Sequence, residues 1–370
     1  MVVDIIVTSQ KHDYASPWQK GQIGRTKAAG CVIEGNRIVT SSYAIADHVL
    51  LEVLKKGESR KYTAHAVIND YHTGLAILSV RDEGFFVGLK PADLSTADRM
   101  IGRSARVYAW DSLSSMKEYT AELANSSLRF FEPNCGILMH EFSTSMNDGG
   151  NGVPVFVDGN LAGISTGLNS ETKTLYVISV EVLRRMRRDS DDGNYEGVPF
   201  FWIDSADIQS NKNLRDYYGM TDGEGGVLIT EVPAGSSGSD VLKANDIVLS
   251  VDGTILDDNG MYDSPYGKLN YIGLIQMNRF VGESVSMKIL RGGKRMQVGF
   301  KLRPVPLRCC HIPLLSYGPT PLYVIFGGLV FQELTIGYLE AFGDEWKQRA
   351  DKRLLYYYDN EKSHSAEKAG

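Results

Sequence analysis

The chain has 370 residues, 43% of them apolar and 23% charged, with a formal net charge of −6. That length accommodates two or three domains with ordinary cores, and the composition is that of a globular protein. The acidic balance argues against a nucleic-acid binder, because neutralising phosphates requires a basic surface. From the amino terminus, Met1-Val2-Val3-Asp4 shows neither a basic n-region nor a long apolar stretch, so no signal peptide is expected. Val2 to Val7 is a β-branched run that predicts a strand, and Gly30 to Thr40 predicts a hairpin turning at Glu34-Gly35-Asn36. Further short strands are expected at Leu50–Leu54, Thr63–Ile68, Leu75–Val80, Ser104–Trp110, Tyr119–Leu123, Gly136–Phe142 and Leu175–Ile178. The first helical pattern is Val180–Arg188. Many short strands with almost no helix indicate a barrel or sandwich. Four cysteines, Cys31, Cys135, Cys309 and Cys310, lack both a disulfide framework and a zinc spacing, and read as ordinary thiols. No cofactor or metal is expected. Asn125-Ser126-Ser127 fits a glycosylation sequon, a pattern too short to carry weight.

The most informative stretch runs from Met146 to Ser165: a glycine-rich loop, Pro154, a short strand, a turn at Asp158-Gly159-Asn160 and a second strand. It resembles the nucleophile region of trypsin-like serine proteases of the HtrA/Deg family, where a Gly-Asn-Ser-Gly-Gly-Pro loop precedes such a hairpin. The resemblance covers about residues 1–195 and implies a double β-barrel. Aligning Pro154 puts Gly149 and Gly150 before the nucleophile position, Asn151 on it, and Gly152 and Val153 after it. In the segment Val39 to Ile45, Tyr43 stands where the family carries its histidine. In Thr73 to Leu78, Gly74 stands where it carries its aspartate.

An acyl-transfer triad needs a hydroxyl or thiol nucleophile, an imidazole titrating near neutrality and an acid that fixes its tautomer. Asn151 offers a non-nucleophilic amide, Tyr43 has a reference pKa of about 10, and Gly74 has no side chain. Val153 is a further obstacle if the oxyanion loop needs a positive φ there, because a β-branched residue holds it poorly. His48, His72, Asp70, Ser143 and Ser145 are the nearby residues that could replace the triad. None has the nucleophile's loop context, and they read as polar surface residues.

The basic helix end at Arg184–Arg188, followed by Asp and Gly, marks a boundary near 195. Gly197 to Asp204 resembles the opening strand of the PDZ module in larger Deg proteins. Gly225 to Val232 and Lys243 to Gly253 resemble a PDZ carboxylate-binding loop with its strand, then an Asp-Ile segment ending at an Asp-Gly turn. The match covers 196–303. It implies capture of a C-terminal carboxylate by Gly225, Gly226, Val227 and Leu228, and an apolar pocket from Ile229, Ile272 and Ile275. Lys268 to Met277 would be the groove helix, and the insertion from Asp257 to Tyr266 leaves room for a groove closed by the chain itself.

Residues 304–370 remain. Pro321 to Phe342 is the most apolar run, but Gln332, Glu333 and Gly327-Gly328 interrupt it, so no membrane span is expected. Leu322 to Leu339 resembles the opening of a second PDZ domain and is followed only by a predicted helix at Glu345–Tyr357 and a polar tail. The segment is read as a truncated second PDZ-like piece, docked on the first PDZ module or on a neighbouring subunit, with Tyr356-Tyr357-Tyr358 suited to an interface. The fold expected is therefore mainly β: a trypsin-like double β-barrel, a PDZ domain and a truncated PDZ-like segment. The function expected is that of an inactive protease homologue, a scaffold that binds protein or peptide C-termini. The resemblance further implies a homo-oligomer, a trimer in this family, and an extracytoplasmic or periplasmic location. An active serine endopeptidase and a regulatory subunit of an active paralogue are the alternatives.

Overall fold

The computed structural model describes residues 1–95, 102–110, 116–131, 134–147, 150–208, 212–306, 312 and 320–359. The chain is mostly strand and divides into two compact units. One comprises Met1–Ala124, His140–Val180 and Cys310–His364; the other gathers Asn125–Met139 with Glu181–Cys309.

In the first unit, β1 (Val2–His12), β2 (Lys20–Ile33), β3 (Arg37–Ser41), β4 (His48–Lys55), β5 (Tyr62–Asp70) and β6 (Leu75–Val80) close into a barrel of order β1-β2-β3-β6-β5-β4. Alternation decides what faces inward. Val3, Ile5 and Val7 on β1 point to the core, where they meet Ile38, Leu51, Val53, Leu78 and Phe85. A second closed barrel of order β10-β11-β12-β9-β8-β7 is built from β7 (Ser104–Trp110), β8 (Met116–Phe131), β9 (Cys135–Thr144), β10 (Asn151–Val157), β11 (Asn160–Asn169) and β12 (Thr174–Ser179). The hairpin expected around Asp158-Gly159 is present, with Val157 opposite Asn160. Closing the sheets removes the free edges that so many short strands would otherwise expose.

The main stretch of the second unit runs from Glu181, ahead of the boundary expected near 195. The reason lies in α1 (Val180–Asp189), whose buried Arg185 donates from Nη2 to the carbonyls of Gly197 and Arg279, both at 3.0 Å, and lies over the Phe280 ring. The helix is thus part of the module that follows it. That module holds β13 (Asp204–Asp207), α2 (Lys212–Tyr218), β14 (Val227–Glu231), β15 (Ile247–Val251), β16 (Thr254–Ile255), β17 (Met261–Ser264), β18 (Gly267–Asn270), α3 (Ile272–Gln276), β19 (Ser284–Arg291) and β20 (Lys294–Lys301). Its main sheet runs β13-β14-β15-β19-β20. The expected helix from Lys268 to Met277 is only half helical. Residues 267–270 pair with β17 as a hairpin, and Asn270 Oδ1 accepts the Ile272 N–H at 3.0 Å, so the helix starts there.

The tail forms the hairpin β21 (Tyr323–Phe326) and β22 (Leu329–Gln332), then α4 (Ile336–Glu340), α5 (Trp346–Arg349) and α6 (Lys352–Asp359). The single helix expected over Glu345–Tyr357 is interrupted between α5 and α6, where Asp351 accepts the Arg353 N–H at 2.8 Å. The tail falls outside the unit that holds the PDZ-like module. It belongs to the unit of the barrels, where Gln332 Nε2 donates to the Tyr14 carbonyl at 2.9 Å and Gly337 abuts the Tyr14 ring. Tyr356 and Tyr357 are exposed on α6. Asn125 of the sequon lies exposed within strand β8. Among the described residues no helix is long and apolar enough to cross a membrane.

Candidate functional site

Two places in this architecture offer a site, and the first is the triad pocket. Tyr43 opens a short 3-10 turn after β3, Gly74 precedes β6 and Asn151 opens β10. The structure brings them together. A Cβ on Gly74 would stand 3.2 Å from Tyr43 Cε2 and 3.6 Å from the Thr166 methyl, while Thr166 is the strand partner of Asn151. Gly152 sits against Ala44 and Thr40.

Two of the three positions are committed elsewhere. Tyr43 donates its hydroxyl to the Tyr71 carbonyl at 2.9 Å, and its ring lies 6.1 Å from that of Tyr71. Gly74 has φ +73°, a conformation that side-chain-bearing residues adopt only at a cost, and a Cβ there would meet Ile178 Cδ1 at 2.7 Å. The space where a carboxylate would project is filled by Ile178 and the Tyr43 ring. Asn151 is exposed.

The positive φ expected to trouble Val153 falls instead on Gly150 (+115°) and Gly152 (+73°), so the loop keeps glycine where the backbone needs it. Val153 is buried and donates its N–H to Ser165 Oγ at 3.2 Å, and that hydroxyl donates to the Gly150 carbonyl. Sequence reasoning gave Ser165 no role; its place on β11 makes it the clasp of the loop. Gly149 lies outside the described residues.

The substitute residues serve local turns. His48 Nδ1 meets the Ile45 carbonyl at 2.7 Å, and buried Asp70 accepts the His72 N–H at 2.8 Å. Ser143 and Ser145 are exposed, at the end of β9 and just beyond it. Ser79 Oγ is 2.9 Å from His65 Nε2, a pair that only the β5–β6 register creates. It lies on an exposed face, and no carboxylate joins it among the described residues. The remaining buried imidazole, His140, is pushed down to about 4 by desolvation and packs edge-on to Phe142. Among the described residues no cluster of three His, Cys, Asp or Glu side chains could hold a metal ion.

The second place is the helix face of the PDZ-like module. The expected carboxylate loop is not available there. The Gly226 N–H donates to the Asp257 carbonyl at 3.0 Å and the Ile229 N–H to the Asp246 carbonyl at 2.8 Å. Gly225 is hemmed in by the backbone of Leu256 and Asp257. Val227 and Leu228 lie on β14, which already has β13 on one side and β15 on the other, so no ligand strand can add to it. Ile229, Ile272 and Ile275 do not line a pocket; they are buried in the module's core with Phe201, Tyr271 and Met287. The placement of a peptide along Gly225–Leu228 is therefore corrected. Adjacent β-strands, rather than loop composition, decide which edge is open.

The outer face of α3 is covered by the chain's own segment Asn125–Met139. Gln276, fully buried, accepts the Gly136 N–H at 2.6 Å and donates to the carbonyls of Asn134 (3.1 Å) and Pro199 (3.2 Å). A Cβ on Gly273 would stand 2.8 Å from Leu128 Cδ1, and Ile272 lies beside Gly136. The self-closure for which the sequence left room comes from residues 125–139 together with the 257–266 insertion, whose Asp257 carbonyl holds the Gly226 N–H and whose Tyr262 hydroxyl would stand 3.2 Å from a Cβ on Gly273. In the module's sheet β13 is the terminal strand at the end opposite β20.

Comparison with known proteins agrees with this architecture. A PDZ domain family profile matches residues 312–369. The chain is 26% identical over 348 residues to "Protease Do-like 4, mitochondrial" of Arabidopsis thaliana, covering 92% of this chain and 65% of the relative. It is 27% identical over 349 residues to "Putative protease Do-like 3, mitochondrial" of the same plant, covering 92% and 61%. The chain thus spans somewhat under two thirds of the length of these relatives. Among solved structures, "HtrA-type protease AlgW with tripeptide" superposes with a TM-score of 0.63 at 16% identity, covering 82% of this chain and 94% of that one. The serine endoprotease from Yersinia pestis gives 0.54 at 15% identity, again covering 82% and 94%. The structural likeness establishes the fold of an HtrA-type protease, and in sequence the chain is similar to Do-like proteases, with a PDZ profile over residues 312–369.

Proposed function

We propose that this chain is a catalytically inactive HtrA/Deg homologue that works as a binding and self-associating scaffold. The observation that carries this reading is the acid position. Gly74 is left-handed, and its side-chain space is taken by Ile178 and by a Tyr43 ring whose hydroxyl is spent on Tyr71. A site of this kind has no base to take a proton, no nucleophile to attack and no room for an orienting carboxylate. Losing one triad member already removes most of the rate enhancement.

The test is direct. Purified protein should neither be labelled by a fluorophosphonate nor cleave an unfolded protein. Stoichiometric labelling of a serine together with cleavage would overturn the reading in favour of an active endopeptidase, the activity that the names of the relatives carry.

The binding half of the proposal rests on the PDZ-like sheet of the module, which ends at β13. An extended peptide would add there as a strand, with the module's sheet supplying main-chain partners. Short linear ligands lose ordering entropy on binding, so affinities of about micromolar are expected. Free and amidated C-terminal peptides, compared by fluorescence anisotropy, decide whether a carboxylate is read. If no peptide binds, the module is structural. Self-association is the scaffold's second property and is the expected assembly of an HtrA-type fold.

A further inference from the structure

Among the described residues the hairpin of β21 and β22 shares with β17–β18 the lack of a third strand, but unlike that hairpin, which carries Asp263 and Lys268, it has no charged side chain. It is a two-stranded ribbon with no third strand on either edge. The segment Leu322 to Gln332 contains no charged residue and no proline, the devices that normally blunt a free edge. Leu322, Tyr323, Val324, Ile325, Phe326, Leu329, Val330 and Phe331 are all between 40% and 78% exposed.

At these exposures the eight side chains leave on the order of 800 Å² open, about what one partner gives to a standard interface. This exceeds the few hundred Å² typical of a monomer's largest apolar patch. The base of the ribbon is held in place: Gln332 is bonded to Tyr14, and the Tyr323 ring lies 6.4 Å from half-exposed Trp18, which prolongs the patch.

The register determines which groups face outward. Gly327 and Gly328, with φ +59° and +80°, make a two-residue turn, and Phe326 faces Leu329 across it. In an antiparallel ladder that flanking pair is hydrogen-bonded, and the pairs alternate from there. Val324 and Phe326 therefore bond inward to β22, and Tyr323 and Ile325 turn their N–H and C=O groups to the open edge.

We propose that this ribbon is a self-association surface, in which β21 of one chain pairs antiparallel with β21 of a second copy about a two-fold axis at Ile325. A second copy is the occupant that fits. It brings an equal apolar area, the same unguarded edge and no charge that requires an opposite one. The pairing yields a four-stranded sheet with an isologous interface. The inference rests on the self-association half of the proposed function and adds where that contact lies.

The experiment uses the full chain in light scattering and analytical ultracentrifugation. Wild-type protein is expected above the monomer mass of 40.9 kDa at micromolar concentration. Ile325→Lys places like charges directly opposite each other at the two-fold and should weaken the contact about hundredfold or more. Because Ile325 is exposed, circular dichroism and melting should stay those of the wild type. Mixing Ile325→Lys with Ile325→Glu chains should restore the complex, which requires copy-to-copy pairing. An Ile325→Lys protein that associates like the wild type overturns the assignment to the ribbon and leaves self-association standing. A monomeric wild type overturns both. A mixture that fails to re-form, or β21 amides protected from hydrogen exchange in the monomer, shows another occupant and also overturns it.

Discussion

The triad pocket and the α3 face differ in how they are filled. At the triad pocket the residue types themselves have changed: an amide, a phenol and a bare backbone stand at the three positions, and the neighbours have closed over Gly74. At the α3 face the apolar residues that a binding groove would use are all present. Ile229, Ile272 and Ile275 are simply turned into the core, and Leu128 and Gly136 cover what α3 shows outward. A triad position is defined by side-chain chemistry, which is local. A groove is lost by packing, which depends on strand order and on a segment more than a hundred residues away.

The contrast can be broken most forcefully at Ile275. As a fully buried core residue, its change to Ala should cost about 4 kcal/mol, within the usual range for such truncations. A pocket residue waiting for a ligand would cost far less, so urea denaturation distinguishes the two roles.

Next comes restoration of the triad with Tyr43→His, Gly74→Asp and Asn151→Ser together. The expected outcome is no measurable peptidase activity. Gly74→Asp alone should destabilise by about 3 kcal/mol, combining left-handed strain with the clash against Ile178. Activity in the triple variant would mean that the pocket opens readily.

A pH series separates the two units. His140, in the first unit, is held down to about 4 by burial, below its ordinary 6.5. The unfolded chain therefore takes up the proton first, and stability present above pH 6.5 is lost as pH falls towards 4, by up to about 3 kcal/mol. Hydrogen exchange should show the barrels, and not the PDZ-like sheet, opening first in acid.

The smallest effect belongs to Asp4, raised to about 6 by desolvation against the opposing pull of Lys27 and Lys56. Its charged form is disfavoured in the fold, so its penalty is full above pH 6 and gone below 3.8. Asp4→Asn should stabilise the protein by about 1 kcal/mol at neutral pH, discounted for its partial exposure. The same change should sharpen the acid transition set by His140, because the two groups act in opposite directions.

Much of this was legible in the residues. Alternating apolar runs such as Val3, Ile5 and Val7 specify strands with one buried face, and closed barrels follow because so many short strands need their edges covered. The glycine loop before Pro154 and the identities of Tyr43, Gly74 and Asn151 located the pocket, since nucleophile, base and acid are defined by side-chain type. The Asp-Ile and Asp-Gly signals at 246–253 likewise marked the PDZ-like sheet. What the sequence could not determine is what lies beside what. That Ser165 clasps the loop, that β13 occupies the free side of β14, that residues 125–139 bond to Gln276 and that the tail joins the barrel unit are facts of tertiary packing. Sequence periodicity shows which face of an element is buried, because burial repeats with the element's own geometry. It carries no record of the neighbour that buries it, so residue types at each position were readable and which edges are occupied was decided only by the fold.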